Sequence, residues 1–187
     1  RKGIMDYERR QQYRGPERFV NLPADANEAE DVIDDALANH PDNGNVLAAV
    51  VLEATAKKVV VARANGEPIT GTGDGLKPVQ SGLSDKAPPN IKIRRGAVIR
   101  VVKTPKNTWE ITQLPEVEGA FVALDPRTGA INALVGGFDV DKNKFNHVTQ
   151  AWRQPGSSFK PFIYSAALEK GFTPATVVND APLFFDA

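Results

Sequence analysis

Apolar positions change their period along the chain, and each change marks an element. Ala29, Val32, Ile33, Ala36 and Leu37 recur at helical spacing until His40-Pro41, which predicts one short amphipathic helix. Asn27 followed by Glu30 reads as the capping box that opens it. From Val46 onward β-branched residues dominate, predicting strands over 46–54 and 57–64. Asn65-Gly66 between strand patterns supplies the positive-φ chemistry of a hairpin turn. Residues 71–92 contain Gly71, Gly73, Gly75, Pro78, Pro88 and Pro89 and read as long loops. Strands are expected again over 97–103 and over 108–114, around Trp109.

Past Pro115 the character shifts. Residues 121–124 and 131–135 are apolar on both faces, so this hairpin is expected in a sheet covered on both sides. Its connection, Asp125-Pro126-Arg127-Thr128-Gly129, carries a proline that presets the turn and a glycine that relaxes its exit. Gly136-Gly137 ends the second strand and a polar loop follows through Asn146. Phe159, Phe162, Ile163, Ala166 and Ala167 then mark a helix closed by Lys170-Gly171. Short strands with long loops within about a hundred residues fit a small barrel of the oligonucleotide/oligosaccharide-binding kind. Residues 1–18, with Arg9, Arg10, Arg14 and Arg18 between Tyr7 and Tyr13, read as a solvated connector.

Composition removes several classes of function. The 187 residues hold 23 basic and 23 acidic side chains, so no basic face for nucleic acid is implied. Without cysteine there is no disulfide, thiolate nucleophile or sulfur-ligated metal, and His40 and His147 alone make a poor zinc site. Gly71-Thr72-Gly73-Asp74-Gly75 lacks the lysine and helix start of a phosphate loop, and Asp139 with Asp141 does not make a calcium loop. No cofactor or metal is expected. No run of about twenty apolar residues occurs, and both ends are abrupt, so the chain is expected to be a fragment whose membrane anchor lies elsewhere.

One motif carries chemistry. In Ser157-Ser158-Phe159-Lys160 the three-residue step places a lysine beside a serine on a helix. A serine hydroxyl is a weak nucleophile until a base takes its proton, and a lysine desolvated in a cleft serves as such a base. Pro161 is tolerated only within the first helical turn, which puts Ser157 at the helix N-terminus. There free backbone N–H groups favour developing negative charge, so the Ser157 amide is a candidate oxyanion donor. An SxxK arrangement alone arises by chance in a chain of this length, and its bland reading is a capped core helix with a surface lysine.

The surrounding residues change the odds. Arg153-Gln154-Pro155-Gly156-Ser157-Ser158-Phe159-Lys160-Pro161-Phe162, continuing through Tyr164-Ser165-Ala166-Ala167-Leu168-Glu169-Lys170-Gly171, closely resembles the active-site helix of class A penicillin-binding proteins of the 1A type. Ala123-Leu124-Asp125-Pro126, Leu134-Val135-Gly136-Gly137-Phe138 and Lys144-Phe145-Asn146 with Thr149-Gln150-Ala151 match the same family in the same order. Met5-Asp6-Tyr7-Glu8-Arg9-Arg10 and Tyr13-Arg14-Gly15-Pro16-Glu17 resemble the connector that follows its glycosyltransferase domain.

The resemblance implies an α+β chain with three parts. Residues 1–18 are the connector and residues 19–116 an OB-like barrel domain with its leading helix. Residues 117–187 are the N-terminal part of a penicillin-binding/transpeptidase domain of the serine β-lactamase-like α/β fold. It implies a D,D-transpeptidase in which Ser157 is the nucleophile and Lys160 the general base, acting on D-Ala-D-Ala stem peptides of peptidoglycan and acylated by β-lactams. It also implies a parent with glycosyltransferase activity, held at the inner membrane on the periplasmic side. The family's SxN and KTG motifs do not follow Lys160, so the segment alone is expected to be inactive. Ser84-Asp85-Lys86 and Lys103-Thr104-Pro105 precede the serine and read as loop residues. A second reading makes the barrel a non-catalytic module that docks a regulatory protein, such as an activator, or a glycan strand through loops 65–92.

Overall fold

The computed structural model describes residues 1–64 and 68–182. The expected Asn65-Gly66 turn and the last five residues lie outside them. The chain divides into two compact units, Arg1–Gln150 and Ala151–Ala187.

In the first unit the chain opens with helix α1 (Lys2–Glu8) and strand β1 (Arg18–Phe19), followed by α2 (Ala26–Ala38). Strands β2 (Val46–Ala54), β3 (Lys58–Ala62) and β4 (Ile69–Thr72) come next. A 3-10 segment (Gly73–Val79) runs into the short α3 (Gln80–Leu83), and β5 (Ala97–Lys103) and β6 (Trp109–Thr112) complete the sheet. Its six strands are antiparallel in the order β1-β5-β2-β3-β4, with β6 also on β5. The sheet curls until β4 and β6 approach each other, with the 3-10 segment packed against both. This is the small barrel expected from the strand pattern.

The central strands β2 and β5 are buried along most of their length because both faces are covered. Val51, Val59, Val61, Leu76, Val79, Ile99, Val101 and Ile111 fill the interior. Ile33 and Ala36 of α2 cover Val50 and Val98 outside it. A run of β-branched residues is the sequence form of a strand buried on both faces.

Four expectations are corrected here. Helix α2 is capped by Asp25 rather than Asn27: the Asp25 carboxylate accepts the N–H groups of Asn27 at 2.9 Å and Glu28 at 3.1 Å, ahead of the expected box. Residues 73–83 are helical rather than loop, because Leu76, Val79 and Leu83 bury their side chains in the barrel. Strands β3 and β6 are shorter than expected, 58–62 and 109–112. The connector is not simply solvated. Tyr13 sits in the core, buried Glu8 accepts from Arg14 at 2.5 Å and from Gln113 at 2.8 Å, and Arg9 pairs with buried Glu110. Arg100, also buried, forms a two-pronged ion pair with Glu17 at 2.7 and 2.8 Å and donates to the Pro41 carbonyl. Each buried charge is thus matched by an opposite one, as a low-dielectric interior requires.

Burial pushes the Glu110 carboxyl above its ordinary value of 4.5, against the opposing pull of Arg9. A folded-state pKa above the unfolded one means that the fold holds this proton more tightly. That stability is complete below the unfolded pKa and is lost as pH rises through the raised value. Relative to Glu110→Gln, the wild-type melting temperature is therefore expected to fall as pH climbs from below 4.5 towards neutrality. Paired thermal melts across that range check the sign. Burial, and then Glu17, also drive the Tyr13 hydroxyl far above the ordinary tyrosine value.

Still in the first unit, β7 (Phe121–Leu124) and β8 (Ile131–Val135) form a separate two-stranded sheet. The Asp125 carboxylate accepts the Arg127 and Thr128 N–H groups, both at 2.9 Å, and Gly129 takes φ +72° to leave the turn. The hairpin was expected to be covered on both sides, yet Phe121, Val122, Leu124, Ile131, Leu134 and Val135 are exposed. Among the described residues the two strands pair only with each other. No helix among the described residues is long and apolar enough to cross a membrane.

Candidate active site

The second unit contains Ser157 and Lys160. Its ordered core is a 3-10 turn (Gly156–Phe159) that runs directly into helix α4 (Lys160–Glu169). The expectation that Ser157 begins an α-helix is refined: the serine sits in the 3-10 turn and the α-helix starts at Lys160. Pro161 explains the junction. It stands within the first turn of α4, where its missing N–H and fixed φ are tolerated.

The tighter turn has a chemical consequence. The Lys160 N–H bonds to the Ser157 carbonyl, an i to i+3 closure. In 3-10 geometry residues three apart eclipse one another, so positions 157 and 160 fall on one side of the helical start. The first hydrogen bond of the turn runs from Ser158 N–H to the Pro155 carbonyl at 3.0 Å. Ser157 N–H lies ahead of it, among the amides that a helical start leaves without internal acceptors.

Gly156 makes the approach possible. Its φ is +53°, and no atom would crowd a Cβ there. The glycine is therefore required by backbone conformation and not by space. After α4, Gly171 takes φ +88° and its N–H bonds to the Leu168 carbonyl, ending the helix where the sequence placed its stop.

Both Ser157 and Lys160 are exposed in this chain. Around them Phe159 and Phe162 lie with ring centroids 5.7 Å apart, and Ile163, Tyr164 and Leu168 are also exposed. The tempting SxN-like and KTG-like stretches stay in the barrel. Ser84 caps a turn through its hydroxyl, which accepts from Lys86 N–H, and Thr104 bonds Thr108 at 2.7 Å in the loop between β5 and β6. Asp74 of the glycine-rich stretch forms an exposed ion pair with Lys77.

Two known families align with successive parts of the chain. Residues 13–117 match the penicillin-binding protein OB-like domain family, and residues 119–185 match the penicillin binding protein transpeptidase domain family. The chain belongs to the penicillin-binding proteins. Penicillin-binding protein 1A of Neisseria lactamica is 42% identical over 184 residues, covering 98% of this chain and 23% of that protein. Its namesake from Pseudomonas aeruginosa is 38% identical over 191 residues, covering 99% of this chain and 23% of that one. The crystal structure of penicillin-binding protein 1A from Haemophilus influenzae superposes with a TM-score of 0.75 at 31% identity, over 100% of this chain and 27% of that one. The chain thus spans about a quarter of the length of the relatives it matches.

Family membership gives the motif stretches a physical context. Asn146, in one of the family-like stretches, accepts the N–H groups of Val148 and Thr149 through its side chain, while its own N–H bonds to Gln150. His147 N–H bonds to the Gly136 carbonyl at 2.7 Å, folding residues 146–150 back onto the end of β8. A Cβ on Gly136 would crowd the Asn146 side chain, which would have to shift to admit it.

Proposed function

We propose that this segment supplies the acylating serine of a peptidoglycan D,D-transpeptidase, with Ser157 as nucleophile and Lys160 as its general base. The observation that carries the reading is the 3-10 turn that eclipses Ser157 and Lys160 within a transpeptidase-family segment. Residues 1–18 act as connector, 19–116 as the OB-like domain and 117–187 as the first part of the transpeptidase domain. The parent protein is a class A enzyme that also polymerises glycan, works on the periplasmic side of the inner membrane and binds β-lactams.

In the reaction, the Ser157 Oγ bonds to the carbonyl carbon between the two terminal D-alanines while the amine form of Lys160 takes its proton. Negative charge gathers on the former carbonyl oxygen, towards which the Ser157 N–H can donate. Collapse breaks the C–N bond, and the proton held by Lys160 passes to the leaving D-alanine amine. The resulting ester on Ser157 is then attacked by an amine of a neighbouring stem peptide. Its proton returns through Lys160 to the Ser157 oxygen as the cross-link forms. A β-lactam enters the same first step, its strained amide replacing the D-Ala-D-Ala bond.

The full-length protein is expected to release D-alanine from a pentapeptide stem and to form cross-linked muropeptides, both blocked by penicillin. Glycan strands that form without D-alanine release would remove the transpeptidase reading.

A further inference from the structure

A cavity of about 350 Å3 lies in the first unit, where residues 13–17 run beside β5 and the end of β6, with exposed Lys142 of the loop after β8 also on its wall. That volume falls in the range of small-molecule sites. Ile99, Leu114 and Pro115 give the wall an apolar part, and Tyr13, Arg14, Glu17, Arg100, Glu116 and Lys142 give it a polar one.

The polar groups differ in what they still lack. Glu17 accepts from Arg100 through both carboxylate oxygens, at 2.7 and 2.8 Å. Arg14 is matched by buried Glu8 at 2.5 Å and by exposed Glu116 at 3.1 Å. The Leu114 and Pro115 carbonyls accept from Arg14 and Lys142. These acceptors are engaged, and donors are left over. Tyr13 is 4% exposed, and its hydroxyl has no hydrogen-bond partner among the described residues. Burial, and then the Glu17 carboxylate, hold that hydroxyl far above the ordinary tyrosine value, so it is a donor at neutral pH. A buried donor in that state is unfavourable until something accepts from it. Arg100, also buried, places one N–H of Nη1 on the Pro41 carbonyl and keeps a further one. Lys142 bonds to a neutral carbonyl and forms no ion pair among the described residues.

We propose that this cavity binds a small organic carboxylate. Its oxygens accept from the Tyr13 hydroxyl, its charge is balanced by Lys142 from the exposed side, and its short apolar body lies on Ile99 and Leu114. One unpaired ammonium matches a single negative charge, whereas a doubly charged phosphate would be left partly uncompensated beside Glu17 and Glu116. The site lies wholly within the first unit and does not depend on the reading of Ser157.

Irradiating the full-length protein with N-acetyl photoleucine, a carboxylate that carries a diazirine, and mapping the adducts by mass spectrometry tests this. Saturable labelling is expected within residues 13–17, 99–100 or 112–116, competed by N-acetyl-L-leucine and not by its neutral amide. Tyr13→Phe removes one oxygen and should weaken labelling about fivefold, as loss of one hydrogen bond does. Its melting temperature should not fall, since the hydroxyl bonds nothing within the protein. Lys142→Gln should weaken labelling about threefold, while Lys106→Gln, an exposed lysine outside the cavity, should leave it unchanged. Because Lys142 is exposed, its variant keeps the result decisive even where Tyr13→Phe folds poorly. Labelling confined to other parts of the chain, equal competition by the amide, or displacement by inorganic phosphate at lower concentration than by N-acetyl-L-leucine would overturn the site. So would labelling unchanged in a folded Tyr13→Phe or in Lys142→Gln.

Discussion

Ser157→Ala in the full-length protein is expected to abolish covalent labelling by fluorescent penicillin, while Lys160→Ala slows it by about two to four orders of magnitude. The difference follows from the two roles. Without the Oγ no ester exists to form, whereas without the amine the hydroxyl must lose its proton to water. The 3-10 turn makes the lysine effect specific to position 160, because eclipsing holds only for residues three apart. Lys170, at the far end of the same helix, should be replaceable by alanine without change in rate. Time courses of labelling for the three variants separate these outcomes, and a Lys160→Ala rate within twofold of wild type would remove the lysine from the mechanism.

Gly96→Ala should destabilise the first unit by about 4 kcal/mol, seen as a shift in the urea midpoint with an unchanged slope. Gly96 takes φ +82°, and a Cβ there would press far inside contact distance of the Val20 carbonyl oxygen. A non-glycine residue at such a φ costs about 1–3 kcal/mol, and forcing backbone apart in a packed region adds a similar amount. The neighbouring hydrogen bonds cannot relax freely. Gly96 N–H bonds to the Val51 carbonyl, and its carbonyl accepts from Val20 N–H, each at 2.8 Å, so the glycine ties β2 to the segment after β1. By contrast Gly73, also at positive φ but with nothing within 4 Å of a Cβ, should lose only about 1 kcal/mol on becoming alanine.

The parts of the fold that were legible are those fixed by local pattern. Strands β2 and β5 fall where the β-branched runs lie, since strands buried on both faces are apolar at most positions. The α4 stop at Lys170-Gly171 was legible because a left-handed glycine ends a helix by its own backbone preference. The helical segment 73–83 was hidden by its glycines and prolines. Leu76, Val79 and Leu83 were nonetheless spaced three and four apart, and that helical period was the available signal. The burial of Glu8, Tyr13 and Arg9's partner Glu110 had no such signal. Arg9 lies 101 positions from Glu110 and Gln113 lies 105 from Glu8, so these contacts form only once the chain has closed.

The site divides in the same way. That Ser157 and Lys160 share one helical start was readable from their spacing and from Pro161, because residues three apart on a turn are set by local geometry. The detail that the turn is 3-10 was not, since propensity does not separate the two helix types over four residues. Arg1 was invisible as anything but one more basic residue of the connector. Its contacts with Asn43 and Phe138 form only in the folded chain.

Mass mapping of the penicillin adduct on the full-length protein after proteolysis decides whether Ser157 is the nucleophile. A single adduct on the peptide that contains Gly156-Ser157-Ser158-Phe159, fragmenting to place the added mass on Ser157, is the expected result. An adduct on Ser158, on any serine outside this turn, or none at all under conditions that label a known penicillin-binding protein, would contradict it.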